Sequence, residues 1–158
     1  CSISPLMYCP ETRVTRAQMA VFLLKGEHGS SYTPPPVDAG TGFNDVPVEH
    51  WAAAWIKQLA VEGITGGCGN GNYCPEATVT RAQAAVFLLR ARYTSAYNPP
   101  AATGVFTDVP VGYWSAAWIE QLAVEGITGG CGAGNYCPES PATRAQIAIF
   151  LVRTFNLP

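Results

Sequence analysis

The chain repeats itself, and this repetition constrains its fold more than any other feature. Phe-Asn-Asp-Val-Pro at residues 43–47 returns as Phe-Thr-Asp-Val-Pro at residues 106–110. Gly-Ile-Thr-Gly-Gly-Cys at residues 63–68 returns at residues 126–131. The tetrad Thr-Arg-Ala-Gln occurs three times, at residues 15–18, 80–83 and 143–146. A single unit of this kind cannot bury its own apolar face, so neighbouring units are expected to share one core.

Each full repeat is predicted to contain two helices joined by a loop. The first helix of the second repeat is expected to begin near Glu49 or Trp51 and to end near Glu62, with a left-handed cap at Gly63. Its apolar residues recur at three- and four-residue spacing. This stripe consists of Trp51, Trp55, Ile56, Leu59 and Ala60, and its copy of Trp114, Trp118, Ile119, Leu122 and Ala123. The spacing favours core positions for the tryptophans, with sugar stacking as the alternative.

The second helix has the same start signal in all three copies. A threonine stands three residues before a glutamine, which is the spacing of a capping box. The pairs are Thr15 and Gln18, Thr80 and Gln83, and Thr143 and Gln146. The sequence therefore predicts three second helices but only two first helices, since the opening repeat shows only its second half.

These elements divide the chain into repeats and linkers. We predict a partial repeat at residues 1–29, full repeats at residues 43–95 and 106–158, and Pro-rich linkers at residues 30–42 and 96–105. Extended, proline-rich linkers suit such boundaries. Pro158 falls at a repeat boundary, so a natural C-terminus is expected there, whereas the N-terminus cuts into a repeat.

Composition excludes several classes of function. The net charge of −2 gives no general attraction to nucleic acid. No apolar run approaches the roughly 18 residues that span a bilayer, so no membrane span is expected. Hydrophobic residues make up 48 % of the chain and charged residues only 13 %. This low charge favours a chain that associates with another molecule or surface.

The six cysteines fall into three local pairs, and the last two pairs enclose glycines that let a short loop close. We predict disulfides Cys1–Cys9, Cys68–Cys74 and Cys131–Cys137, and therefore an extracellular location. The spacing fits no zinc site, and neither a metal nor a cofactor is expected. For Cys1, lipidation of a mature N-terminus is the alternative to a disulfide.

Catalysis is not expected, because the same carboxylates recur in each repeat. Asp45, Glu62 and Glu76 have copies at Asp108, Glu125 and Glu139. A glycosidase needs one unique pair of carboxyl groups. Caps and ion pairs explain the duplicated carboxylates better than an acid/base pair does.

The motifs of each full repeat, taken in order, resemble the S-layer homology domain. They are Phe-x-Asp-Val, a tryptophan at a helix start, Gly-Ile-Thr-Gly, an aromatic residue before x-Pro, and Thr-Arg-Ala-Gln. The resemblance covers nearly the whole chain outside the linkers. It implies an all-α fold of helix-loop-helix repeats around a shared pseudo-threefold helical bundle, with the loops here closed by disulfides. It also implies that the first helices form the central bundle and that the second helices point outward.

The same resemblance implies a place at the bacterial cell surface and binding of an envelope polysaccharide in grooves between repeats. The motif arginines Arg16, Arg81 and Arg144 are the implied glycan-binding residues. Their structural alternative is an ion pair with Asp45 or Asp108. From their glycine-rich loops, we add Tyr73 and Tyr136 as exposed candidates for contact with a sugar or a partner, with a structural role covering the core as the alternative.

A competing function is a self-assembling surface-layer or filament subunit that binds copies of itself. The second helix of the opening repeat has no first helix of its own. Its apolar residues Val21, Phe22 and Leu24 are therefore expected to be exposed, and exposed apolar patches favour association. We expect either an anchoring module or an assembly subunit, and no enzyme.

Overall fold

The computed structural model describes the backbone of residues 2–3 and 6, and the chain with its side chains from residue 7 to residue 158. Helices dominate, so the all-α prediction is confirmed. A short antiparallel hairpin, β1 (Ser2–Ile3) and β2 (Leu6–Met7), precedes the helices. The helices are α1 (Arg16–His28), α2 (Ala53–Val61), α3 (Arg81–Arg92), α4 (Ala116–Val124) and α5 (Arg144–Phe155). Within these residues, none of the helices combines the length and the apolar character needed to cross a membrane.

Capping boxes start the three longer helices, as predicted. In α1 the Thr15 hydroxyl accepts a hydrogen bond from the Gln18 backbone, and the Gln18 side chain accepts one from the Thr15 backbone. The same reciprocal bonds start α3 and α5. Each box satisfies two backbone N–H groups that a helix N-terminus leaves free.

The centre of the molecule consists of second helices. The helices α1, α3 and α5 all pack against one another, whereas α2 packs on α1 and α4 packs on α3. The expectation that the first helices form the central bundle is therefore wrong. The sequence explains the outcome, because α3 buries residues around most of its circumference, including Ala82, Ala84 and Ala85, which permit close approach. By contrast, α2 buries only Ala53, Ile56 and Leu59.

Backbone hydrogen bonds close the three repeats into a ring beside this bundle. The residue before each capping threonine donates its N–H to the matching residue of another repeat. Val79 donates to Val14, Val14 to Ala142, and Ala142 to Val79, at 2.8–3.0 Å. Because all three residues are buried, each of these bonds is shielded from water.

The first helices are short and end at glycines. Gly63 and Gly126 adopt φ values of 72° and 70°, the left-handed conformation expected at a helix end. Both helices begin later than expected, at Ala53 and Ala116, and have no side-chain cap. The loops that follow contain the disulfides Cys68–Cys74 and Cys131–Cys137. The predicted pair Cys1–Cys9, like the question of Cys1 lipidation, lies outside the described residues because Cys1 does.

One carboxylate fixes the linker before the last repeat. Glu120 of α4 is 7 % exposed and accepts hydrogen bonds from the backbone N–H groups of Thr103, Gly104 and Val105. Burial alone would raise the pKa of Glu120, but these backbone hydrogen bonds outweigh burial and hold it below its usual value. The matching position in α2 is Lys57, so sequence repetition does not extend to this contact.

The predicted domain boundaries themselves stay a prediction.

We predict that Glu120→Gln lowers the free energy of unfolding at pH 7 by about 1 kcal/mol, because charge-assisted hydrogen bonds to the linker are weakened. The folded-state pKa lies below the unfolded value of about 4.3. The stabilisation is therefore fully present above that pH and is lost as pH falls through the folded-state pKa. Urea unfolding from pH 7 to pH 3 should show the variant and the wild type converging.

The exposed carboxylate Glu49 provides the control for this prediction. Glu49→Gln should leave the unfolding free energy nearly unchanged at every pH. A Glu120→Gln deficit that is equally large at pH 3 and pH 7 would contradict the assignment of the stabilisation to the ionised carboxylate.

Candidate functional site

The motif arginines join each repeat to the next. Nε of Arg16 donates to the carbonyl oxygen of Tyr73 at 2.7 Å, and the Tyr73 hydroxyl donates to the carbonyl oxygen of Arg16 at 2.8 Å. The same exchange links the other two pairs, Arg81 with Tyr136 and Arg144 with Tyr8. Since Tyr8 belongs to the opening repeat and Arg144 to the last, this contact closes the ring of repeats.

Arg16 is a buried cation whose hydrogen bonds are incomplete. Arg16 is 4 % exposed, and its guanidinium lies 4.7 Å from the ring centroid of Tyr73 and 5.3 Å from that of Phe87. Burial lowers the pKa of Arg16, while the nearby Tyr73 and Asp45 oppose the shift. Nη2 of Arg16 is buried and has no hydrogen-bond partner in the described chain. This nitrogen is therefore a donor available to a ligand.

The expected ion pair between a motif arginine and Asp45 or Asp108 is not found in residues 7–158. Instead, the Asp45 carboxylate accepts hydrogen bonds from the N–H groups of Tyr73 and Cys74, both at 2.7 Å. Asp108 makes the same contacts in the last repeat. Burial alone would raise the pKa of Asp45, but the backbone N–H groups outweigh it and lower the pKa. These aspartates thus shape the loops that receive the arginines.

Tyr73 and Tyr136 are interior residues. Both have 0 % exposure, so the prediction that they contact a glycan directly is wrong. Two consecutive glycines before the first cysteine let each loop close on itself, and a helix of another repeat then covers its tyrosine. A Cβ on Gly67 would lie 2.3 Å from the carbonyl oxygen of Asn72, and Gly67 has a φ of 89°. Burial raises the pKa of both tyrosine hydroxyls, which keeps them protonated as donors to the arginine carbonyls.

Trp51 and Trp114, which were expected in the core, lie at the surface. Each is 60 % exposed, so their predicted core positions are wrong. The physical reason is that α2 and α4 begin two residues after these tryptophans, so the helical periodicity does not apply to them. Trp55 and Trp118, which do lie in the helices, are partly buried against the core.

A cavity of about 320 Å³ opens at the side of Arg16, where residues from all three repeats meet. Nε of Arg90 is buried there without a hydrogen-bond partner in the described residues, as is Nη2 of Arg16. No aspartate or glutamate is among the lining residues. The cavity is lined by Arg16, residues 64–68, Gln83, Val86, Phe87, Arg90 and Trp114. The cavity therefore combines two guanidinium groups and an exposed indole, which together suit an anionic ligand with an apolar face.

Sequence reasoning missed part of this cavity. Arg90 lies in the last turn of α3, where a basic residue suits the helix dipole and so attracts no notice, and Thr65 belongs to none of the candidate sites above. The recurrence of a basic residue at Lys25, Arg90 and Arg153 was a usable signal, because a dipole alone does not require one fixed position. Arg81 and Arg144 do not line this cavity. Of the three motif arginines, only Arg16 does.

The residues proposed for assembly are not available as one exposed face. Leu24 has 0 % exposure, and Val21 and Phe22 are partly buried. The reason is that α2, the first helix of the next repeat, packs on α1. The expectation that α1 presents the uncovered apolar face is therefore wrong.

Comparison with known proteins identifies the repeat. Residues 42–85 match the family model described as the S-layer homology domain. S-layer protein EA1 of Bacillus anthracis and an S-layer protein of Bacillus licheniformis are each 35 % identical to the chain over 126 residues. These residues are 78 % of this chain but 14 % of each relative. The cellulosome-anchoring protein of Acetivibrio thermocellus is 26 % identical over 159 residues, which cover 95 % of this chain and 34 % of that protein.

We predict that Tyr73→Phe lowers the free energy of unfolding by about 1 kcal/mol, because the buried carbonyl oxygen of Arg16 loses its donor. Tyr8→Phe is the matched control, since Tyr8 makes the same contact but is 51 % exposed and water can replace its hydroxyl. Urea unfolding should show a clearly smaller effect for Tyr8→Phe. Equal effects of the two changes would contradict the importance of burial at this contact.

Proposed function

The chain belongs to the S-layer homology domain family and lies at the bacterial cell surface, and from this premise we propose that it is a non-catalytic module that binds an envelope polysaccharide. The binding site in this proposal is the cavity beside Arg16. Its ligand is an acidic glycan, and binding it anchors the chain to the cell envelope. The cellulosome-anchoring relative supports a role in attachment.

The observation that carries the proposal is the pair of buried guanidinium nitrogens, Nη2 of Arg16 and Nε of Arg90, without hydrogen-bond partners in the described residues. Leaving a buried charged donor unpaired is costly, so an incoming carboxylate or phosphate gains strong hydrogen bonds there. A planar guanidinium matches the two oxygens of such a group.

Trp114 supplies the second half of the recognition. Its indole is 60 % exposed at the edge of the cavity. Such a ring offers a flat apolar surface to a sugar ring while the anionic group of the sugar lies deeper, near the guanidinium groups. Arg81 and Arg144 bind a tyrosine carbonyl of the neighbouring loop as Arg16 does, but they do not line this cavity, so the proposal gives them a mainly structural role.

The alternative function, a self-assembling subunit, needs a different interface from the one expected from the sequence. The interface expected from the sequence was the apolar face of α1, and α2 packs on that helix. Anchoring is better supported, because it uses a built cavity with unpaired donors.

We predict that Trp114→Ala weakens binding of acidic polysaccharide extracted from bacterial cell walls by at least about tenfold, which corresponds to about 1.4 kcal/mol. Trp51→Ala is the matched control: Trp51 is equally exposed and precedes the same kind of helix, but it does not line the cavity. Isothermal titration should show nearly unchanged affinity for Trp51→Ala. Circular dichroism should show intact helices in both variants.

The contribution of the anion is tested with the same polysaccharide after its carboxyl groups have been reduced to alcohols. Its affinity should fall for the wild-type protein, because the guanidinium groups lose their acceptor. Undiminished binding by Trp114→Ala, or equal losses in both tryptophan variants, would refute the assignment of the cavity.

A further inference from the structure

Two carboxylates and an imidazole meet where the end of α1 faces the end of α2. They belong to Glu27, His28 and Glu62, and one possible ligand atom from each lies within 4.8 Å of the others. Nε2 of His28 is 2.9 Å from Oε1 of Glu62. The other two groups of metal-type side chains in the described residues each contain both cysteines of a disulfide, whose sulfurs are already bonded to each other. The sequence-based expectation of no metal rested on the cysteines, and none of them belongs to the first group.

The equivalent place in the next pair of helices holds a cation of the protein itself. The capping boxes align α1 with α3, so that Arg92 corresponds to Glu27. Oε2 of Glu125, the counterpart of Glu62, lies 3.4 Å from Nε of Arg92. The other oxygen of this carboxylate accepts a hydrogen bond from the hydroxyl of Tyr93 at 3.0 Å. The end of α3 thus supplies a positive charge to the end of α4.

Between α1 and α2, a carboxylate stands where that arginine stands between α3 and α4. Oε2 of Glu62 is buried and has no hydrogen-bond partner in the described residues, whereas the corresponding oxygen of Glu125 faces Arg92. Burial raises the pKa of the Glu27 carboxyl, and the negative charge of Glu62 raises it further. Two neighbouring carboxylates repel each other unless a cation lies between them. A divalent ion would restore the neutrality that Arg92 and Glu125 provide for each other.

We propose that Glu27, His28 and Glu62 bind one zinc ion, which joins the end of α1 to the end of α2. Each carboxylate gives one oxygen and the imidazole gives Nε2, which leaves a fourth position for water. A mixed nitrogen and oxygen set of this kind suits Zn²⁺, whereas Ca²⁺ prefers a larger set made of oxygen atoms. Zinc ligands about 2.1 Å from the metal lie roughly 3.4 Å apart in a tetrahedron, so small side-chain rotations suffice.

Neighbouring side chains already hold two of these ligands. The ring of Tyr32 packs against the imidazole of His28, with the ring centroids 4.4 Å apart. Nε2 of Gln58 donates a hydrogen bond to Oε1 of Glu62 at 2.7 Å. Outer contacts of this kind orient metal ligands and raise the affinity of a site. The site shares no residue with the cavity beside Arg16, so the inference is independent of glycan binding.

Isothermal titration of the whole chain with zinc chloride at pH 7 should show one ion bound per chain. Glu27→Gln and His28→Asn should each weaken binding at least about tenfold, because each removes one ligand. His50→Asn is the matched control. His50 is the second of the two histidines, and its Nε2 lies 3.5 Å from Glu76, so it is the place where zinc would bind non-specifically. This control should bind zinc normally, and calcium chloride should bind the wild type much more weakly than zinc chloride.

A further variant tests the role assigned to the cation. Glu27→Arg should rebuild between α1 and α2 the ion pair that Arg92 forms with Glu125. It should therefore raise the urea midpoint of the metal-free chain and abolish zinc binding. Zinc should raise the urea midpoint of the wild type, because it binds the folded state, and should leave that of Glu27→Arg unchanged. Circular dichroism should show intact helices in every variant.

Several results would overturn the proposal. Zinc binding that survives Glu27→Gln or His28→Asn would place the ion elsewhere, as would an equal loss in His50→Asn. Calcium binding as tight as zinc binding would indicate a loose acidic patch and no defined site. A wild-type urea midpoint that zinc does not change, or a Glu27→Arg chain that gains no stability, would contradict the need for a cation between α1 and α2.

Discussion

The contact between each motif arginine and the loop of the next repeat is the interaction on which the rest of the structure depends. The guanidinium at the start of α1 holds the backbone of Tyr73, and the Tyr73 hydroxyl holds the backbone of α1. The same exchange occurs at α3 and α5, where Arg144 binds Tyr8. One repeat cannot make this contact with itself. The contact therefore forms only between assembled repeats, and it fixes the surfaces between them.

This constraint also builds the proposed binding site. A guanidinium that must be buried to hold Tyr73 uses Nε for the loop and leaves Nη2 unpaired at the edge of the cavity. Gly67, which lets the loop close on itself, lines the same cavity. The structural role of Arg16 and its proposed binding role are therefore compatible, because the hydrogen bond to Tyr73 uses Nε and leaves Nη2 without a partner in the described chain.

Local signals in the sequence predicted local structure well. The Thr15–Gln18 capping box and the cap at Gly63 were predictable because each depends on residues a few positions apart. Residues governed by distant contacts were not. The loop of Tyr73 looked exposed because the helix that buries it lies one repeat away, and Trp51 looked buried because the start of α2 could not be placed to within two residues. Periodicity also could not reveal that the second helices form the centre.

Native-state hydrogen exchange tests the closed ring of repeats most directly. The amides of Val14, Val79 and Ala142 each donate to another member of the same three residues, although they come from three different repeats. If the ring opens only as a unit, all three amides should exchange with one free energy, close to that of global unfolding. Exchange of Val14 and Ala142 at a much lower free energy than Val79 would mean that the opening and last repeats are not locked together, and would contradict the account.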